Sequence, residues 1–461
     1  MQISAALVGS AGVERALVAM ATGLNLDLLP DMGIERPTTA SPNDLLVAFV
    51  ASDGDSLATA LERLEVELTA RPSVPAGAPS LVEPQLVATA PVSPPGLVLV
   101  STPGRYAFVE AMDALDAGLS VMVFSDNVPV AQEVLLKEVA ADRGLLVMGP
   151  DCGTAVIGGI GLGFANVVRP GPVGIVAASG TGAQQVLALL AAAGVGVSHC
   201  LGVGGRDLSD VVGGRSTLAA LDLLDADPVT SLIVVLGKPP GSRVLSVVER
   251  HITTLTTPVL FAPLGPDSPD LTAVVGQVLT RLGVPAPVWP AWPAPLSPRP
   301  GFLRGLFSGG TLCVEAQAVA RLSPLWSNVP LRPEWTIGPD TPAGHSMLDL
   351  GSDEYTVGRP HPMIDLGPRL ALIAREAADP AVGTLLLDVV LGHAAHPDPA
   401  AELAPAIRAA STAVNVVVSL IGTADDPQDF TRQATLLREA GAFVCLSNAD
   451  AARQAVALVA P

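Results

Sequence analysis

Lysine is nearly absent from this chain. Of its 25 basic residues only Lys137 and Lys238 are lysines, and 44 acidic residues leave a formal net charge of -19 over 461 residues. Nucleic acid and anionic membrane surfaces require the opposite balance, so neither is expected as a partner. Cysteine is sparse too. Cys152, Cys200, Cys313 and Cys445 stand far apart with no C-x-x-C pair, and they read as small buried hydrophobes of a reducing compartment, with no metal site expected. Long apolar runs are also missing: the longest, Ser231 to Leu236 and Thr384 to Leu391, are strand-sized and fall short of the roughly 18 residues that cross a bilayer. The first residues carry Glu14 and Arg15 amid apolar positions and have no basic leader, which argues against a signal peptide and for a cytoplasmic address.

What the chain has in quantity is apolar surface. Hydrophobic residues make up 49% and charged ones 15%, with a mean hydropathy of +0.49, which suits sheets covered on both faces or a surface kept for an interface. Two proline-rich stretches, Arg71 to Pro95 and Val284 to Gly301, predict linkers laid over the surface. Before the first, the pattern predicts a strand (Ile3 to Val8), a helix (Val13 to Thr22), a strand (Asp44 to Ala51) and a helix (Ser56 to Ala70), half of a ferredoxin-like layer. Beyond it, strands and helices alternate as in βαβ units of a parallel sheet, where ligands sit at the carboxyl ends of the strands. The expected organisation is a small α+β domain over 1–75, a Rossmann-like domain over 94–168, and α/β domains over 169–285 and 301–461.

The last two domains read as copies of each other. "GIVAASGTGAQQVLALLAAAG" parallels "GLFSGGTLCVEAQAVARL", "LGVGGRDLSD" parallels "LDLGSDEYTVGRP", and "DADPVTSLIVVLGKPPG" parallels "AADPAVGTLLLDVVLGHAAHPDP", in the same order. Two copies pair most simply about a pseudo-twofold axis. That pairing would face the glycine turn Ser179-Gly180-Thr181-Gly182 against Ser308-Gly309-Gly310-Thr311. Each turn links a strand to a helix and so offers free N–H groups, a hydroxyl and the positive end of a helix dipole to an anion. Neither has the lysine of a P-loop or the spacing of a dinucleotide fingerprint. Close strand–helix packing is the competing use for such glycines.

Cations near strand ends are the natural complement. Lys238 follows the buried strand of "LGKPPG", and Arg206 follows the glycines of "GVGGRDLSD" and could fork onto a carboxylate or phosphate, or simply pair with Asp207. The densest polar stretch, Gly344 to Asp365, holds His345, Arg359 and His361 in a long loop, where a histidine could serve as acid or base. "HAAHPD" places His393 and His396 together without a third metal ligand.

These stretches also carry a family resemblance. "MGPDCGTAVIGGIGLGFANVV", "GIVAASGTGAQQV", "GVGGRDLSD", "LGKPP", "FSGGT", "YTVGRPHPMID" and "LLLDVVLG" resemble the FdrA proteins, also called AllF, over nearly the whole chain. More distantly, the middle region is similar to the α subunit of succinyl-CoA synthetases ("GPDC" for "GPNC", "SGTG" for "SGTL"). The last region is similar to the carboxy-terminal domain of their β subunit. The resemblance implies an α/β fold: a Rossmann-like, CoA-binding-type domain and two duplicated flavodoxin-like ligase domains beside the small N-terminal one. In the synthetases, helix N-termini converge on a phosphorylated histidine. Here the corresponding segment reads "VLFAPLGPDSPDL" (Val259 to Leu271), with no histidine, and the β subunit's ATP-binding domain has no counterpart, which speaks against ATP-driven acyl-CoA synthesis.

The resemblance implies instead a subunit of oxamate carbamoyltransferase in allantoin catabolism, active in a hetero-oligomer with AllG-type and AllH-type subunits. That enzyme interconverts oxalurate plus phosphate with oxamate plus carbamoyl phosphate. On this reading phosphate or carbamoyl phosphate lies on Ser179, Gly180, Thr181 and Gly182, with Ser308, Gly309, Gly310, Thr311 and Lys238. Arg206 or Arg359 holds the oxalurate carboxylate, and His361 or His345 protonates the leaving nitrogen. No cofactor and no metal is needed. The alternatives are a succinyl-CoA synthetase-like, acyl-CoA-binding protein and a non-catalytic scaffold for the complex.

Overall fold

The computed structural model describes residues 12–37, 39–41, 44–69, 92–357 and 359–459, with the single positions Ser4, Leu7, Ser10 and Val87. The chain divides into two units, one of Met1–Glu83 with Thr356–Pro360, the other of Pro84–Tyr355 with His361–Pro461.

In the first unit, β1 (Val13–Met20) runs antiparallel to β2 (Leu45–Ala51), with Leu17 opposite Ala48. A short helix α1 (Gly23–Leu26) and a long one, α2 (Gly54–Thr69), complete it. The expected helix over Val13 to Thr22 is therefore a strand. Its apolar positions fit either period, and the partner strand Leu45–Ala51 decides the outcome, which local propensity alone cannot do. The expected strand Ile3 to Val8 lies outside the described residues except for Ser4 and Leu7, which are helical. Most of the first proline-rich stretch also lies outside them.

The second unit opens with β3 (Leu97–Val100), α3 (Gly104–Asp116), β4 (Ser120–Val123), α4 (Val130–Asp142) and β5 (Val147–Met148), a three-stranded parallel sheet with helical crossovers. The hairpin β6 (Thr154–Ile157) and β7 (Ile160–Gly163), counted above with this domain, joins the next sheet instead. That sheet continues with β8 (Val173–Ala178), α5 (Gly180–Ala192), β9 (Val197–Gly202), α6 (Arg215–Ala226), β10 (Leu232–Gly237), α7 (Ser242–Ile252), β11 (Val259–Pro263) and α8 (Leu271–Leu282). Its order is β11-β10-β8-β9-β6-β7.

The third sheet holds β12 (Ala291–Trp292), β13 (Phe302–Phe307), β14 (Leu325–Trp326), β15 (His345–Asp349), β16 (Val382–Val390), β17 (Asn415–Ile421) and β18 (Phe443–Cys445). Its helices are α9 (Gly310–Ala320), α10 (Asp353–Thr356), α11 (Gly367–Ala378), α12 (Pro399–Ala410), α13 (Phe430–Glu439) and α14 (Asn448–Val459). Its order is β12-β18-β17-β16-β13-β15-β14. The inner run β17-β16-β13-β15 repeats β11-β10-β8-β9 strand for strand, all parallel, as the duplicated sequence pattern predicts. The second proline-rich stretch is less of a free linker than expected. Its Ala291 and Trp292 pair antiparallel with β18, and Trp289, Trp292 and Leu296 pack on the core.

One apolar core runs through both copies: Val186, Leu189 and Leu190 of α5, Leu312 and Ala316 of α9, and Val274 and Val278 of α8 belong to it. Polar groups cross the same boundary. The Gln185 side chain donates to the Leu446 carbonyl at 3.2 Å and accepts from the Asn448 N–H at 2.8 Å. Glu315 accepts from the Leu271 N–H at 2.6 Å, capping α8, and from Asn448 at 2.8 Å. Burial pushes the Glu315 carboxyl up to about 7. Its contribution to stability is therefore complete below the ordinary glutamate range and is lost as pH rises through about 7. Thermal unfolding should occur at lower temperature at pH 8 than at pH 5.5, with a shallower dependence in Glu315→Gln; an unchanged slope in the variant would remove Glu315 as the cause.

All four cysteines are free and buried, and burial pushes the Cys152 thiol up to about 12, so these are packing groups and not nucleophiles. Among the described residues no helix is long and apolar enough to cross a membrane.

Candidate functional site

The two glycine turns meet. Ser179 caps α5, its Oγ accepting from the Gly182 N–H at 3.0 Å, and the same oxygen lies 2.5 Å from Thr311 Oγ1 at the start of α9. No side chain fits between them: a Cβ on Gly182 would stand 3.0 Å from Thr311 Cγ2, and one on Gly309 would stand 2.6 Å from Thr181 Oγ1. Glycine at these positions serves the close approach of one copy to the other.

The turns are not equivalent in what they hold. In the second, Asp388 fills the cradle. Its carboxylate accepts from the Ser308 N–H at 2.8 Å, the Ser308 hydroxyl at 2.8 Å and the Gly309 N–H at 3.0 Å. The Arg369 guanidinium donates to it at 2.8 Å, and both side chains are fully buried. Ser308 and Gly309 thus hold an anion belonging to the chain itself, which corrects their assignment to a ligand.

Sheet register explains the difference. In the second copy Leu306 pairs with Leu387, so Asp388 stands beside the end of β13. In the first copy the end of β8, Ala178, pairs with Gly237, which has no side chain to send. The Gly180 N–H, the counterpart of Gly309, consequently has no acceptor among the described residues, and the Thr181 N–H beside it has none either. Gly310 and Thr311 are free in the same way at the second turn.

Around these donors stand groups that the motif reading did not single out. Asp349, at the end of β15, gives one oxygen to the Gly351 N–H at 2.9 Å, and the other lies 2.7 Å from where a Gly310 Cβ would be. Burial foremost, with repulsion from Asp388 and Asp151, pushes Asp349 up to about 7, against the Gly351 N–H and Lys238. Asp151 keeps one side open to solvent. Crowding by the surrounding loops, with Asp126 and Asp353, still pushes it up to about 6, while Arg206 and Lys238 pull it back. Lys238 thus lies within electrostatic reach of both carboxylates. It is exposed and makes no ion pair among the described residues.

The predicted histidines separate. His361 belongs here, its Nε2 lying 2.8 Å from a Gly351 Cβ position that is also 3.1 Å from Asp349 Oδ1. Its Nδ1 accepts from the Met363 N–H at 3.2 Å, and burial pushes the ring down to about 4. At neutral pH it is an uncharged ring with its proton on Nε2, a hydrogen-bond donor and not the proton-delivering acid expected of it. His345 starts β15 while Asp349 ends it, which puts the histidine about 13 Å away at the amino-terminal end of the strand. There its Nδ1 accepts from the Leu303 N–H at 2.9 Å; it is no part of this site.

Arg206 is also diverted. It pairs with Glu133 at 2.8 Å and donates to the Val128 carbonyl at 2.8 Å, so its fork is engaged within the protein and not held open for a substrate carboxylate. Arg359 lies in the Thr356–Pro360 segment of the first unit. The other lysine, Lys137, is buried and bridges Glu133 at 2.9 Å, Asp207 at 2.8 Å and the Val203 carbonyl at 2.9 Å. It ties α4 of the three-stranded domain to the first copy. Asp207 in turn accepts from the Thr217 N–H at 2.9 Å and its hydroxyl at 2.6 Å, capping α6. His396 pairs with Glu402 at 2.9 Å, and the described residues contain no cluster fit for a metal ion.

A family model described as AllF, heavy metal-associated domain, matches residues 1–80, and one described as CoA-ligase matches residues 306–458. The uncharacterized protein YahF of Escherichia coli K12 is 34% identical over 475 residues, covering 95% of this chain and 92% of that protein. This chain belongs to the AllF family. A succinate–CoA ligase (ADP-forming) α subunit of Archaeoglobus fulgidus is 29% identical over 189 residues, 40% of this chain and 62% of that subunit. A dinucleotide-forming acetyl-coenzyme A synthetase of Ca. Korarchaeum cryptofilum superimposes with a TM-score of 0.33 at 16% identity, covering 81% of this chain and 84% of that one. Despite the metal in the N-terminal model's description, residues 1–80 of this AllF-family chain contain neither cysteine nor histidine. The thiolate and imidazole ligands of a transition-metal site are therefore lacking there.

Proposed function

We propose that this chain is the anion-cradling subunit of an oxamate carbamoyltransferase, working with AllG-type and AllH-type partners. The observation that carries the reading is the asymmetry of the paired turns: Asp388 occupies the Ser308 and Gly309 N–H groups of the second, whereas at the first the N–H of Gly180, the counterpart of Gly309, has no acceptor among the described residues and continues into the free N–H of Thr181. Phosphate, or the phosphate end of carbamoyl phosphate, would lie on those donors with Lys238 alongside. A phosphate oxygen attacks the carbamoyl carbon of oxalurate and the bond to the oxamate nitrogen breaks. The proton carried by phosphate balances the nitrogen that leaves. The His361 Nε2–H and the helix N–H groups are suited to the oxyanion formed on the way.

Membership of the AllF family supports this reading. So does the absence of histidine from Val259 to Leu271, since a phosphohistidine relay has no residue to run on there. The CoA-ligase relatives favour a second reading, an acyl-CoA-binding protein. Phosphorolysis of oxalurate by the reconstituted complex separates the two. Carbamoyl phosphate should form, Gly182→Trp should abolish it by closing the turns' approach, and Lys238→Ala should slow it roughly tenfold or more. Binding of CoA without carbamoyl phosphate formation would establish the second reading. Unchanged turnover in both variants would make the chain a scaffold.

A further inference from the structure

Three negative groups converge on one helix end. Asp388 already occupies the Ser308 and Gly309 N–H groups at the start of α9, with Arg369 as its counter-ion. Asp349 reaches the same first turn from β15, and its Oδ2, close to the Gly310 backbone, has no hydrogen-bond partner among the described residues. The third is the ligand anion of the reading above, on which this inference rests: the two turns meet where Ser179 Oγ lies 2.5 Å from Thr311 Oγ1, so an anion on the α5 donors stands beside the start of α9 as well. One helix dipole and the single exposed ammonium of Lys238 cannot offset a ligand and an ionised Asp349 held side by side.

We propose that Asp349 binds the anion in its protonated form, donating its carboxyl O–H to an oxygen of the ligand. Asp349 is only 6% exposed, so water does not screen the repulsion that ionisation would create. Its other oxygen is fixed by the Gly351 N–H, which leaves Oδ2 to carry the proton toward the Gly310–Thr311 end of α9.

The groups facing it are few. Asp388 comes from β16, Asp151 from the loop after β5, Lys238 from the end of β10, the Cys313 thiol from α9 and the Tyr355 phenol from α10, the last two both pushed up and uncharged at neutral pH. His361 stands near it across Gly351 and is uncharged at neutral pH. Anion binding then draws in a proton wherever Asp349 is ionised beforehand, so affinity is highest below about pH 7 and falls as pH rises above it.

The test is titration calorimetry on the full-length protein with inorganic sulfate, which has no proton of its own to exchange near neutral pH, and with inorganic phosphate. Running each in two buffers of different ionisation enthalpy reads the protons taken up. At pH 8 the wild type should take up roughly one proton per sulfate, and its affinity should fall about fivefold between pH 7 and pH 8. Asp349→Asn, which keeps the shape and can still donate a hydrogen bond, should bind sulfate without proton uptake and with a flat pH profile. Asp151→Asn should keep the wild-type uptake.

Sulfate binding by the wild type without proton uptake overturns the inference and leaves the anion-cradle reading standing. Uptake that persists in Asp349→Asn and vanishes in Asp151→Asn also overturns it, moving the proton to Asp151. Failure of both sulfate and phosphate to bind overturns the cradle reading itself.

Discussion

Replacing Asp388 by alanine should destabilise the second copy by roughly 3–5 kcal/mol, because the buried Arg369 guanidinium then loses its counter-ion and two N–H groups lose their acceptor. The vacated cradle would keep those donors at the start of α9, now aimed at a space of carboxylate size. A small external anion should therefore restore part of the loss. Acetate or formate should raise the melting temperature of Asp388→Ala in a concentration-dependent way while leaving the wild type nearly unmoved. Asp388→Asn, which keeps the shape without the charge, should fall between the two. A variant that melts like the wild type would show that Asp388 is not the anion organising this turn.

Lys137→Ala should cost a similar amount, roughly 3–5 kcal/mol, for the opposite reason. It removes the one cation shared by two buried carboxylates at the seam between α4 and the first copy, leaving Glu133 with the half-exposed Arg206 alone and Asp207 with only its neutral donors on α6. Since the seam joins the three-stranded domain to the rest, loss of protection should begin there. Limited proteolysis of Lys137→Ala should cut within residues 94–150 before the remainder of the second unit, and Lys137→Met combined with Glu133→Leu and Asp207→Asn should recover much of the stability by removing the buried charges together. Equal resistance of Lys137→Ala and the wild type would mean that the network is not what holds the seam. Lys238→Ala is the control. Its ammonium is exposed and unpaired among the described residues, so stability should be unchanged within the small range of surface charges.

The contrast between the two lysines shows where sequence reading succeeds and where it stops. The βαβ alternation, the internal copies and the facing of their glycine turns are visible in the chain, because each rests on a local period and on a pattern that recurs. Lys238 could be placed near the turns for the same reason, since it follows a buried strand, whereas His361 and His345 are equal alternatives within one polar stretch. Lys137 could not, since its partner Asp207 is 70 positions away and nothing local in "EVLLKEV" distinguishes a buried lysine from a solvated one.

Asp388 did leave a signal. A single carboxylate inside the otherwise apolar "LLLDVVL" cannot be buried without partners, and asking for them would have pointed to the neighbouring turn. Asp349 is similar, the last residue of a strand in "SMLDLG". His345 misled because loop polarity carries no information about which edge of a sheet a residue will reach. The strand Val13–Met20 misled because its apolar positions satisfy both periods until a partner strand is known.

The pairing of Ala178 with Gly237, against Asp388 beside the end of β13, makes ligand occupancy readable from two letters of sequence. A relative with glycine at both positions would have two vacant seats, and a relative with aspartate at both would have none, whatever else it retains. In this chain the second copy carries its own permanent anion, so the symmetry of the pair survives in the backbone and is broken in what each turn holds.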